Sequence, residues 1–279
     1  MKIPENFLRK SQEEEIETQK FFLLIENSCN LIEINLLTSE TKVTDLSIPT
    51  AGNYVFDGRI CVCLLPENVL FCYGGTKVWG ELIGITYLIN EKLEIQMLPS
   101  GLPALGCIAS YYQNFVYVFG TAFARKFNLN EQKWEKLVPI PDFYRLCSCI
   151  TFNDFILVSE YDSQKIFVLD LLIFSYSWVS TIMLELKRSK IFFKRENLAY
   201  LIDFSGIILQ SGLDNPFDWN TIGICESSNY STYGCKVFYR NSWYFPLGPN
   251  IMKFNLNKNR NWKQVINSTK VWRRIDEFY

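Results

Sequence analysis

KFNLNEQKWEKL begins at Lys126, and KFNLNKNRNWKQV begins at Lys253. Five residues recur unchanged, and a Trp follows a few positions later in each copy. Either a domain has been duplicated, or a shorter unit is visited several times between the two. The tryptophans decide. Trp134, Trp178, Trp219 and Trp262 follow one another at intervals of 44, 41 and 43 residues. The span between the two phrases is therefore three units. Two further units fit upstream, with Ile95 (EIQMLP) and Val43 (KVTDLSIP) in the Trp place. Six units account for the chain from about Lys20 onwards, and a fixed period of this length is the mark of a repeat architecture.

Each unit reads as short strands. In the third, CIASYY, NFVYVFG, ARKFNLN and KWEKLVPIP are separated by turn residues. The fourth repeats the plan with CSCITF, DFILVSE, KIFVLDL and SYSWVST. Short apolar runs punctuated by Gly, Asn and Asp are strand-and-turn chemistry. Four strands in such a unit match one blade of a β-propeller, whose faces are buried only when blades stack. The fold expected is all-β: a six-bladed β-propeller of four-stranded blades over 20–279. Residues 1–19 are expected to be a short helical or flexible segment, because PENFLRKSQEEEIETQK has helix formers and no turn punctuation.

Composition agrees. There are 22 Phe, 15 Tyr and 7 Trp, residues that suit pleated and half-buried surfaces. Net charge is −1, with 28 basic and 29 acidic residues, so no nucleic-acid or membrane-surface partner is expected. The apolar runs are too short to span a bilayer. The polar start, with no apolar stretch of a signal peptide, points to a cytoplasmic location, and the nine cysteines to reduced thiols there. The chain contains no His. That removes His-based triads, imidazole bases and His metal ligands, and no metal or other cofactor is expected. No phosphate-binding loop or nucleophile elbow is present.

Cysteines give a second register. Cys61, Cys107 and Cys235 each lie 13 residues before a glycine, and Cys147 lies 13 before Glu160. They are expected at equivalent points of four first strands, as small buried side chains.

On these residues the chain resembles the kelch-repeat β-propellers. VLFCYGG ends in the double glycine Gly74–Gly75, VYVFG ends at Gly120, and KFNLNEQKWEKLVPIP carries the later half of the repeat with its prolines. IFVLDLLIFSYSW and IMKFNLNKNRNW follow the same pattern more loosely. WD-repeat propellers are set aside, since the chain has neither Gly-His nor Trp-Asp. The resemblance implies a propeller whose loops gather at one mouth. RICVC at Arg59 and RLCSC at Arg145 are the same motif in the second and fourth units. Kelch propellers use rim arginines to hold acidic partner segments, by bidentate pairing with carboxylates. Arg59 and Arg145, with Tyr54, Phe143, Tyr144 and Tyr230 as aromatic anchors, are the expected partner-binding residues. The competing role for each Arg is an ion pair with a loop acid such as Asp57 or Asp142; for the aromatics it is loop packing.

The function expected is a non-catalytic interaction module binding a protein or peptide. The alternatives are a carboxylate-based hydrolase and a scaffold or adaptor part of a larger protein. The first unit has room for only three strands. A segment of Val271–Tyr279 is expected to supply its inner strand beside Phe21–Glu26 and close the ring. Deleting 271–279 should lower Tm by on the order of 10 °C in a thermal melt; an unchanged Tm rules the closure out.

Overall fold

The computed structural model describes residues 20–24, 30–35, 37–38, 40–46, 54–55, 60–77, 81–103, 106–120, 123–140, 146–160, 165–172, 178–183, 190–195, 198–203, 207–212, 218–224, 237–239, 242–247, 250–255 and 262–267. The expected N-terminal segment 1–19 and closing segment 271–279 lie outside them.

The first unit holds β1 (Lys20–Leu24), β2 (Asn30–Asn35) and β3 (Thr41–Asp45). In the second, β4 (Tyr54–Val55) precedes β5 (Cys61–Leu64) and β6 (Leu70–Tyr73), and β7 (Thr76–Lys77) precedes β8 (Thr86–Ile89) and β9 (Ile95–Leu98). The third contains β10 (Ile108–Tyr112), β11 (Phe115–Gly120), β12 (Phe123–Asn128) and β13 (Lys133–Lys136). The fourth has β14 (Leu146–Phe152), β15 (Phe155–Glu160), β16 (Lys165–Asp170) and β17 (Trp178–Met183). In the fifth come β18 (Lys190–Arg195), β19 (Leu198–Asp203), β20 (Ile207–Gly212) and β21 (Asn220–Ile224). The last has β22 (Val237–Tyr239), β23 (Ser242–Leu247), β24 (Asn250–Asn255) and β25 (Trp262–Asn267).

Pairing is antiparallel throughout. Among the described residues there are a three-stranded sheet, β1-β2-β3, and five four-stranded sheets, β5-β6-β8-β9, β10 to β13, β14 to β17, β18 to β21 and β22 to β25. A small ribbon joins β4 to β7. The expected four-strand plan is present in units two to six, and three strands are present in unit one. Neighbouring sheets meet through their first strands: β10 lies against β5 and β14, and β14 lies against β18. The chain is thus all-β and propeller-like.

Strand alternation buries both faces. In β11, Val116 and Val118 pack towards the second sheet, while Phe115, Tyr117 and Phe119 pack towards the fourth. Each letter of the recurring phrase has a task in β12 and its turn. Lys126 is buried, pairs with Glu135 Oε2 at 3.0 Å and covers the Phe115 ring at 4.3 Å. Phe127 faces Trp134 across the strand pair, ring centroids 5.0 Å apart. Asn128 Oδ1 accepts hydrogen bonds from the backbone N–H of Asn130 and Glu131, at 3.0 and 3.1 Å. Leu129 is buried, and its N–H donates to the Asn114 carbonyl.

That Asn is a repeated device. Asn35 accepts from Leu37 and Thr38, Asn90 from Lys92 and Glu94, and Asp170 from Leu172, each closing the turn into the last strand of its sheet. An Asx side chain replaces the backbone acceptor such a turn lacks. In the fifth sheet Gly212, opposite Leu198, stands where Asp170 stands opposite Phe155, and a glycine offers no side-chain acceptor.

The Trp place faces the preceding sheet. Trp134 lies tilted against Tyr73 at 4.9 Å and meets Phe71 edge-on at 6.3 Å, both from the second sheet. Its Nε1–H donates to the Pro99 carbonyl at 2.9 Å, and the Tyr73 hydroxyl donates to the Leu102 carbonyl. Between the second and third sheets, the Trp of the later unit thus holds down the exit segment of the earlier one. Gly101 lies under both rings. A Cβ there would come within 2.7 Å of Tyr73 Cε2 and 3.1 Å of Trp134 Cε2.

One sequence expectation is corrected. Cys61 and Cys107 are both buried in the interface of the second and third sheets. They reach it from opposite sides, so they are not equivalent. Cys107 lies just before Ile108, which pairs with Phe119, whereas Cys61 itself pairs with Tyr73. The hairpin of the third sheet turns on Gln113–Asn114, but that of the second turns on Pro66, Glu67 and Asn68. The extra residue shifts the strand by one, which turns its side chains to the other face. Cys147 and Cys235 have no described side chain.

Trp219 packs with Phe192 at 6.0 Å, but its Nε1–H finds no acceptor among the described residues. Trp134→Phe should therefore destabilise by about 1 kcal/mol more than Trp219→Phe in paired denaturant melts. Equal losses would show that the bond to Pro99 contributes nothing.

Candidate functional site

Hydrogen bonds between the first strands fix their sense. Ser110 Oγ meets Thr151 Oγ1 at 2.7 Å, and the Tyr112 hydroxyl donates to Asp154 Oδ1 at 2.5 Å, both near the far ends of β10 and β14. At their near ends, the Phe192 N–H of β18 donates to Ser148 Oγ of β14 at 3.4 Å. Side by side, these strands run in one direction and begin at the same end of the assembly. The two ends differ in kind.

The far end carries the tight hairpins and the Asx turns. It is laced by its own backbone: Leu129 donates to Asn114, and Leu171 donates to Asp154. Gln113 and Asn153 adopt left-handed φ of 50° and 52° in the two-residue turns. The near end carries the connections from the last strand of one sheet to the first strand of the next, and those over 46–60, 99–107 and 137–145 are longer than the far-end turns. Long loops on a rigid scaffold are where binding residues concentrate.

Two of these features sequence reading missed. The β4–β7 ribbon pairs Tyr54 with Lys77 and Val55 with Thr76. It ties the loop entering the second sheet to the loop between β6 and β8, so both act as one unit. Gly74 and Gly75, with φ of 91° and 117°, start that second loop, and Gly74 N–H to Ile85 O and Ile83 N–H to Gly75 O close its base. Only a side chain as small as glycine's enters that region without strain. The signal was the length of the connection, which reads as a longer blade and not as a ribbon.

The other feature is a pair of buried acids. Where Gly120 ends β11, Glu160 ends β15 and Asp203 ends β19, at 6% and 3% exposure. Glu160 pairs across the strand with Leu146, and Asp203 with Lys190. Asp203 Oδ1 accepts the Ile207 N–H at 2.9 Å and so caps the turn into β20. The missing glycine at position 160 was the visible trace of this substitution.

Arg59, Arg145, Phe143, Tyr144 and Tyr230 lie outside the described residues, and Tyr54 is described by its backbone alone. Their chain neighbours are placed. Ile60, next after Arg59, is buried and directly precedes β5. Leu146, next after Arg145, opens β14. Both first strands begin at the near end, with β10 between them.

The thiols nearby are held neutral. Burial pushes the Cys107 thiol up to about 12 and does the same for Cys72, against an ordinary value of 9.0. Burial also drives Cys61 well up, with Cys107 and then Cys63 adding to it. The Tyr111 phenol rises to about 12 by burial, reinforced by Cys63. A thiolate is the reactive form, and burial disfavours it at these cysteines. Among the described residues no three His, Cys, Asp or Glu side chains are placed to hold a metal ion. Among them, too, no helix is long and apolar enough to cross a membrane.

Comparison with known proteins bears on the fold. No protein-family description matches the sequence, and no curated protein matches it. The structure is similar to a solved structure described as that of YjhT, a propeller-like protein, with a TM-score of 0.64 and 11% identity. The match covers 92% of this chain and 99% of that one. It is one of 1094 solved chains that match, a breadth that ties the likeness to a widely used architecture. At this identity the likeness speaks for fold alone.

The raised thiols set a pH dependence. A group whose value is higher folded than unfolded stabilises fully below the unfolded value and loses that contribution as pH rises towards the folded one. For Cys107 the window runs from 9.0 to about 12. Wild-type stability should fall as pH rises through it. Cys107→Ala should flatten that fall by about 1.4 kcal/mol per pH unit, read from denaturant melts. An identical slope in both proteins would contradict the buried neutral thiol.

Proposed function

We propose that this chain is a six-bladed, kelch-like propeller whose ring closes when residues 271–279 pair with β1, and that it is a non-catalytic interaction module. It takes an acidic segment of a protein or peptide at the near end, where the loops carrying Arg59 and Arg145 enter the second and fourth sheets. The observation that supports this reading is the placement of Ile60 and Leu146. Each follows its arginine, and each stands at the start of a first strand on the same end. Guanidinium groups match carboxylates bidentately and keep their charge at any working pH. Tyr54, Phe143, Tyr144 and Tyr230 belong to the same set of loops and supply aromatic contact area. The scaffold role, as the adaptor part of a larger protein, is compatible with such a module.

One observation favours a second role for Arg145. Glu160 is buried at the same end and opposite Leu146, so it is a further acid, beside Asp142, for that guanidinium. In that case Arg145→Ala would lower stability without changing recognition. Glu160 and Asp203 are also the carboxylates on which a hydrolase reading would rest. Asp203 is already committed to a backbone N–H.

The test is binding of a fluorescein-labelled decaglutamate peptide at low salt, followed by anisotropy, to wild type and to Arg59→Ala/Arg145→Ala. Affinity should fall about tenfold or more in the double variant, the scale of a lost charged hydrogen bond, and it should weaken with added salt. No binding by wild type, or equal binding by a folded double variant, overturns the proposal.

A further inference from the structure

Arg125 and Lys136 stand directly opposite each other across β12 and β13, at the near end of the third sheet. Like charges in that position repel, so such a pair calls for an acid beside it. Among the described residues neither has a carboxylate within ion-pair distance. Glu135, the acid of β13, points to the other face of the strand and holds Lys126, and Glu131 holds Lys133. Arg125 is seated by an aromatic ring instead. Its guanidinium lies 5.8 Å from the centroid of Phe123. Phe123 stacks in turn on Tyr73 of the second sheet, with centroids 6.1 Å apart.

These contacts place the two cations. Arg125 lies two residues before Phe127, and Lys136 two residues after Trp134, so all four share the face that meets the second sheet. On that side the chain leaving the second sheet passes at 99–103, tied to Trp134 and Tyr73 through the carbonyls of Pro99 and Leu102. Burial raises the Tyr73 phenol, and Cys107 and Cys61 add to the rise; the Arg125 charge opposes it, so the guanidinium is within electrostatic reach of that hydroxyl. Leu102, whose carbonyl the Tyr73 hydroxyl holds, leaves its side chain exposed, as does Val138, two residues beyond Lys136. The near-end seam between the second and third sheets thus offers two cations lacking an acid, and two exposed aliphatic side chains, on a base of packed aromatic rings.

We propose that this seam binds an acidic protein segment with an aliphatic residue among its carboxylates: Arg125 and Lys136 take the carboxylates, and Leu102 and Val138 take the aliphatic side chain. The inference rests on the preceding subsection for the class of partner and adds an apolar requirement to it. Complementary charge supplies the orientation. A bare polyanion would leave Leu102 and Val138 unused, and a chain of net charge −1 has no general attraction for one.

Two fluorescein-labelled decapeptides test it by anisotropy at low salt: decaglutamate, and a peptide with two central Leu among eight Glu. Wild type should bind the leucine peptide about fivefold tighter or more. Leu102→Ser/Val138→Ser should abolish that advantage and leave decaglutamate binding as in wild type. Arg125→Ala and Lys136→Ala should each weaken both peptides about tenfold; Lys136 is exposed, so its variant reads binding without disturbing the fold. No preference for the leucine peptide, or a preference that survives Leu102→Ser/Val138→Ser, overturns the proposal. So does tighter binding of a ten-nucleotide oligothymidylate than of the leucine peptide, which would show a site for any polyanion. If Arg59→Ala/Arg145→Ala weakens binding and Lys136→Ala does not, the seam is excluded while the earlier reading stands. If Lys136→Ala weakens binding and the double arginine variant does not, the seam stands and the two rim arginines fall. If neither weakens it, both readings fall.

Discussion

The contact on which the structure depends is the seating of one sheet's aromatic residues against the sheet before it. Trp134, Phe127 and Phe123 of the third sheet close on Phe71 and Tyr73 of the second, with centroids 4.9 to 6.3 Å apart. A four-stranded sheet with two apolar faces has no stable existence alone. Each face needs a neighbour. The pinned carbonyls of Pro99 and Leu102 extend the same contact to the chain leaving the second sheet. One Trp thus fixes both the packing of two sheets and the path between them.

That constraint divides the molecule. At the far end the described turns are closed by Asx caps and backbone bonds. At the near end the connections are longer, one pair is stiffened by the β4–β7 ribbon, and carboxylates replace the glycine of β11 in the fourth and fifth sheets. Stacking residues and long connections are separated along the strand axis. The repeated residues serve stacking and turns, and the variable ones occupy the loops.

Much of the fold was legible because its spacing is enforced by packing. Trp134, Trp178 and Trp262 all fall within fourth strands, and Trp219 stands just before one. The strands of the third and fourth units lie where alternation and turn residues place them. Other features were hidden for physical reasons. The Asn of KFNLN was legible as a repeated letter, but its work as a turn cap depends on backbone geometry. The facing of Cys61 was lost to a single extra residue at Pro66–Asn68, which a count between Cys and Gly does not register. The ribbon at Tyr54 pairs segments distant in sequence and too short to carry a pattern. The arginine motif RICVC/RLCSC was plain as a repeat, yet a motif says where a side chain enters and not what it holds.

In the proposed closed ring, all the near-end loops would gather around one mouth. Alternate amides of an antiparallel strand point to opposite neighbours. Those of β1 that face away from β2 have a partner only if the ring is closed. Residue-resolved amide exchange by NMR reads this directly. In a closed ring all five residues Lys20–Leu24 should exchange slowly, comparably with β11 in the interior. Alternating fast and slow amides along β1 would contradict it.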